Sequence, residues 1–233
     1  MAKLTVGDIW RGMIAALRPD FSVLFALAAP FTLLVAMVLE LFGPAPPKSM
    51  AEFTPRLAVV LLLIPSVIGA VAQLALTWLM ATPGATPARA LGGAVRALPA
   101  YLAAVVLITP ATTIGLVLLV VPGLYLFARM FLVGPAIVIE GLGPVAALRR
   151  SWMLTADIGW TMLLFLVLAL LFVFGASILA GGVGAALGLL FTALGLKGVG
   201  SFAAALVGAV VSTVFTMASA AAATTVFQRV RGG

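Results

Sequence analysis

The chain has 233 residues, 64% of them hydrophobic and 8% charged, with 13 Lys or Arg against 6 Asp or Glu and a net charge of +7. A soluble domain carries roughly 25% charged residues, so so few charges, with a mean hydropathy of +1.32, exclude an ordinary water-facing globule and make lipid the principal solvent. Cys and His are both absent, which excludes a disulfide framework and any Cys- or His-ligated metal; no cofactor is expected, and basic residues scattered among apolar runs argue against nucleic acid.

In chain order, Trp10, Met13, Ile14 and Leu17 fall on one helical face with Asp8, Arg11 and Arg18 opposite, the pattern of a short amphipathic helix suited to the membrane interface. The apolar run Phe21–Phe42 follows. It is too long for the core of a signal peptide and no small-residue cleavage site follows it, so it reads as a retained first span. Pro44, Pro46, Pro47 and Lys48 then mark an outer crossover with little helix. Leu57–Met80 is the second apolar run.

A second amphipathic stretch, Leu91, Val95 and Leu98 flanked by Arg89 and Arg96, precedes the third run, Ala100–Val120, and Val121-Pro122-Gly123 alone joins it to the fourth, Leu124–Ile139. Val145, Leu148 and Trp152, beside Arg149 and Arg150, form a third amphipathic stretch before the fifth run, Ile158–Leu179. The Gly-rich segment Gly181–Gly200 is expected as an apolar loop on the outer interface, and Phe202–Phe227 is the sixth run.

Most of these runs reach the ~20 residues a helix needs to cross ~30 Å of hydrocarbon, and they lack the alternation of barrel strands. The expected fold is all-α: a polytopic transmembrane bundle of six spans in a single membrane domain (1–233), with amphipathic interfacial helices before spans one, three and five. Each interfacial helix with the two spans after it suggests an internal unit, at 6–81, 86–141 and 144–229.

With the N-terminus inside, Lys3, Arg11, Arg18, Arg89, Arg96, Arg149, Arg150, Arg229 and Arg231 fall in inner segments, and Lys48, Arg56 and Lys197 in outer ones. The positive-inside rule then places both termini in the cytoplasm. Arg well in excess of Lys, among abundant Ala, Gly, Leu and Val, suits a GC-rich bacterial genome and hence an inner membrane. Spans three and four are preferred as complete crossings; the alternative is a re-entrant hairpin whose turn is covered by protein.

Arg129 is the charge inside a span, costly unless paired, snorkelling or facing water. Five residues past Leu124, it is expected within about 8 Å of the outer end of its helix. One reading is structural, snorkelling outward or pairing with Glu40 at the end of span one. The other is an anionic-ligand or lipid-headgroup site, with Arg149 and Arg150 as further headgroup contacts. Glu140 is expected to pair with Arg149 or Arg150 and tie span four to the third interfacial helix. In span six, Ala204, Gly208, Ser212, Thr216, Ala220 and Thr224 recur every fourth residue, a small-residue seam for packing within the chain or, alternatively, for a homo-oligomer. Trp152 and Trp160 read as interface anchors.

The stretch Val121–Thr155, with Pro122-Gly123-Leu124-Tyr125 opening a helix, Arg129 inside it, Pro135 and Glu140 closing it, then Ala147-Leu148-Arg149-Arg150-Ser151-Trp152 and Leu154-Thr155, resembles the membrane domain fused to bacterial glycerophosphodiester phosphodiesterases and its stand-alone inner-membrane relatives. Asp157 and Thr161 depart from that pattern, where relatives often have Gly and a basic residue. The resemblance implies a membrane domain without catalytic residues of its own, since in the fused proteins the chemistry sits in a separate soluble barrel.

Two functions remain in view. One is a non-catalytic scaffold or accessory factor acting with membrane lipids and anionic headgroups on the cytoplasmic side. The other is a small transporter or lipid carrier with Arg129 near its ligand; it lacks acidic residues inside the spans for a proton relay. An enzyme is not expected, because no His base accompanies the Ser and Thr hydroxyls.

Overall fold

In the computed structural model, residues 4–44, 47, 49, 52, 54–195 and 197–232 are described. They form helices α1 (Val6–Leu17), α2 (Phe21–Phe42), α3 (Pro55–Ala58), α4 (Ile64–Ala81), α5 (Pro87–Leu118), α6 (Val120–Arg129), α7 (Val133–Glu140), α8 (Pro144–Leu154), α9 (Gly159–Ala193) and α10 (Lys197–Arg231), with a π-helical turn (Val59–Leu63) joining α3 to α4. Six helical segments are long and apolar enough to cross a membrane: Phe21–Leu39, Pro55–Ala81, Pro87–Leu118, Val120–Glu140, Gly159–Ala193 and Ala205–Arg231. Among the described residues there is no strand.

Local chemistry sets the boundaries. Thr5 and Asp8 form a reciprocal capping box at the start of α1, and the Thr5 hydroxyl and N–H, with Arg11 beyond them, hold the Asp8 carboxyl below its ordinary pKa. Pro19 has no N–H to extend the ladder, so α1 ends at Leu17 with Arg18 as its cap, still in a helical conformation. The π-helical turn precedes Pro65, whose missing N–H and bulky ring disrupt the normal i→i−4 ladder. Gly141 closes α7 in the left-handed region at φ 66°, a conformation that favours glycine, and Pro144 opens α8 at a first-turn position that needs no N–H.

Two sequence expectations are corrected. The amphipathic stretch before span three is not a separate helix: residues 87–118 form one continuous helix through Pro99 and Pro110. The segment 181–193 is not a loop but the last turns of α9. In an apolar setting the backbone satisfies its hydrogen bonds by staying helical even through glycines, and Gly200 of α10 approaches the backbone of Gly188 more closely than a Cβ would permit. Span four is broken, since Met130–Leu132 interrupt the helix between α6 and α7.

α10 is the central helix, packed on α9, α2, α1 and α4. Its buried residues Met217, Ala220, Ala221 and Phe227 contribute to two apolar clusters, one with α1, α6, α7 and α9 and one with α2, α4 and α5. The Thr32 and Thr213 hydroxyls join α2 to α10 at 2.6 Å. α1 packs on α10 and α9, so it leans on helices of the third expected unit.

Five arginines collect at one end of this bundle. Arg229 of α10 lies beside Gly12 of α1. Glu140, ending α7, meets Arg150 of α8 at 3.0 Å and Arg231 of α10 at 3.5 Å. Arg89 and Arg96 share a cleft with Gly141 and Leu142. Away from this end the surface is apolar and uncovered: Val117, Leu118, Leu179 and Leu189 are all more than 70% exposed.

Candidate functional site

The break in span four frees backbone groups, and α8 supplies their partners. With no helical turn after Arg129, its carbonyl has no intrahelical donor. The Ser151 hydroxyl donates to it at 2.7 Å, and the Thr155 hydroxyl lies 3.3 Å away. Thr155 is closer to the Ser151 carbonyl, at 2.7 Å; a hydroxyl has one proton, so Ser151 carries the cap. Both side chains are fully buried.

The Arg129 side chain turns back over the same junction. Its Nη2 donates to the Trp152 carbonyl at 2.6 Å and its Nη1 to the Tyr125 hydroxyl at 3.1 Å. The guanidinium sits 4.0 Å from the Trp152 ring centroid and 5.7 Å from that of Tyr125, and such cation–π contacts strengthen when water is excluded. Tyr125 in turn packs against Trp160, ring centroids 5.2 Å apart. Arg129 is 5% exposed, its Nε has no hydrogen-bond partner, and it makes no ion pair among the described residues. The Trp152 carbonyl, the Tyr125 hydroxyl and two aromatic faces therefore balance this cation.

Gly159 makes the closure possible. A Cβ there would stand 2.7 Å from the Tyr125 hydroxyl and 3.1 Å from Arg129 Cδ. Sequence reasoning missed this residue, although its position at the start of a span, beside Trp160, marks a place where an aromatic ring or long side chain can approach the backbone.

These positions change the reading of several expected site residues. Arg129 lies nine residues past the start of α6, about 14 Å along the helix, and it reaches the α8–α9 connection, not the outer end of its helix. The expected pairing partner Glu40 has a side chain outside the described residues. Glu140 meets Arg150 through two hydrogen bonds of 3.0 Å, a bidentate contact, with Arg231 as an additional partner that the sequence had not suggested. Arg149 is exposed. Trp152, 45% exposed, is the platform for Arg129, while Trp160 is 70% exposed.

The small-residue seam of span six does not keep to one face. Gly208 and Ser212 are exposed, Thr216 is half-buried, Ala220 and Thr224 are buried, and the side chain of Ala204 lies outside the described residues. Four residues make 400° at 100° each, so a strict i+4 series turns by about 40° per step around a 3.6-residue helix. The buried line runs instead through Ala209, Thr213, Met217 and Ala220.

Two cavities bear on the candidate site. One, of about 350 Å³, is apolar apart from Ser219 and lies between α1, α9 and α10 under Trp10 and Met13. The other is a cleft of about 740 Å³ between α4, α5 and α7 with Arg89 and Arg96 in its wall. Neither contains Arg129. Among the described residues no cluster of three or more metal-ligating acids, His or Cys occurs.

Six apolar helical segments, an uncovered apolar belt and a clamped break in the fourth segment define a multi-pass helical membrane protein. Residues 85–230 match the family described as Domain of unknown function (DUF7847), and the chain belongs to that family. The match covers α6–α8 with the Arg129 clamp and all but the last residue of α10. No curated protein and no solved structure matches the chain.

Proposed function

We propose that this protein is a non-catalytic component of a bacterial inner membrane, a scaffold or accessory factor that acts at the bilayer with its basic end and both termini in the cytoplasm. The observation that carries this reading is the use made of Arg129. The charge buried within a span, the group best suited to hold an anionic substrate, is spent on closing a broken helix against α8 and α9. The clustering of Arg89, Arg96, Arg150, Arg229 and Arg231 at one end supports the cytoplasmic assignment through the positive-inside rule.

Six full crossings belong to the same reading. The tip of the α5–α6 hairpin, residues 117–121, is 57–79% exposed. A turn within hydrocarbon needs protein cover for its free backbone groups, and an uncovered one fits the outer interface, where water supplies that cover. In this reading α1 and α8 run along the inner interface, and the exposed Arg149 meets headgroups. The resemblance of Val121–Thr155 to the phosphodiesterase-fused membrane domain suits this role, since there too the membrane part is separate from the chemistry.

One observation favours a second reading, a carrier for an anionic lipid or solute: Nε of Arg129 is buried without a partner, and broken helices recur at transport sites. Purification in native-lipid particles, with lipid and protein content measured for wild type and Arg129→Leu, separates the two. A stable protein partner and unchanged lipid in the variant are expected. A stoichiometric lipid lost on replacing Arg129 would establish the carrier instead.

A further inference from the structure

We infer that the cleft between α4, α5 and α7 binds a phosphate group, separately from the Arg129 clamp. Arg89 and Arg96 stand seven residues apart on α5, two helical turns and about 10 Å along the same face. Both are exposed and line the cleft. Neither makes an ion pair among the described residues, where Glu140 is held by Arg150 and Arg231 and Asp8 by Arg11. The cleft thus presents two cations without a carboxylate in its lining.

Two adjacent glycines shape it. Gly93 lets α5 lie against Trp78 of α4, since a Cβ there would fall 2.7 Å from the indole. Gly92 does the opposite: nothing lies within 4 Å of where its Cβ would be. It sits between the two arginines on their own face and leaves open the floor that a ligand would occupy. Each guanidinium at such a cleft carries the planar fork of donors by which Arg holds phosphate oxygens.

The phosphate could belong to an anionic lipid headgroup or to a soluble phosphate compound. The lipid source rests on the bilayer role proposed above and deepens it by naming where the headgroup sits.

The test uses the full chain in a nonionic detergent, titrated with short-chain phosphatidylglycerol and, separately, with inorganic phosphate. Wild type, Arg89→Gln/Arg96→Gln and Gly92→Leu are compared after confirming equal thermal unfolding. Gly92→Leu keeps both charges and fills only open space, so it distinguishes occupancy of the cleft from general charge attraction. Saturable binding weakened at least tenfold by both changes is expected. Binding of the lipid alone assigns a headgroup; equal, competitive binding of inorganic phosphate assigns a soluble source. Wild-type affinity in either variant, or no saturation with either probe, overturns the inference. Such a failure leaves the bilayer role standing, because that role is judged by the partner and lipid content of native particles.

Discussion

At Arg129 the carbonyl and the side chain are stabilised by different means. The carbonyl is a free helix end closed by Ser151, and the side chain is a buried cation resting on Trp152. Removing the cap strands a buried acceptor, which costs about 1–3 kcal/mol. Ser151→Ala should therefore lower unfolding stability in detergent by that order, and Thr155→Val by less, because the Thr155 proton goes mainly to the Ser151 carbonyl. Gly159→Ala should cost a similar ~1–3 kcal/mol by overpacking against Tyr125 and Arg129; unchanged melting would show that the Tyr125 ring moves aside freely. The residues of this clamp were partly legible. Arg129 stood out because a charge in an apolar run demands an explanation, and Ser151, Trp152 and Thr155 were named in the resemblance. Their meeting was not legible: Gly134 and Pro135 signal a disturbed helix, because Pro135 has no N–H for the Phe131 carbonyl, but nothing local says that Ser151 closes the end left at Arg129.

At the level of helices, apolar run length carried most of the information. The cores of all six runs lie in the six spanning segments, because hydrocarbon leaves a backbone few alternatives to helix. Where the sequence misled, it did so over where helices end. Glycines at 181, 182, 184 and 188 suggested a loop yet sit inside α9. Leu91, Val95 and Leu98, flanked by Arg89 and Arg96, suggested an interfacial helix distinct from span three, yet α5 continues through Pro99. Glycine matters differently at the α5–α6 hairpin. There Leu119 alone links the helices in an extended conformation, φ −152° and ψ 118°, and a Cβ on Gly123 would collide with the Leu116 backbone. Gly123→Ala should reduce folded yield and stability by about 1–3 kcal/mol, measurable by thermal unfolding; an unperturbed melt would mean that the hairpin opens without cost.

Across the whole molecule, charge and burial divide the bundle into two ends. Well-packed alanines, the Glu140 tie and Arg89, Arg96, Arg150, Arg229 and Arg231 occupy one. Exposed Val, Leu and Ile extend toward the other, and the membrane is the medium that makes such a surface stable. The chain has no Cys, so single cysteines report topology directly. Gly123 is unsuitable as a probe because of its contact with Leu116, whereas Val121 at the same tip is 57% exposed and Gly232 lies just beyond α10. In intact cells treated with an impermeant thiol reagent, Val121→Cys should be labelled from outside and Gly232→Cys only after the membrane is opened. Labelling of Gly232→Cys in intact cells, or protection of Val121→Cys there, would contradict six crossings with the arginine-rich end in the cytoplasm.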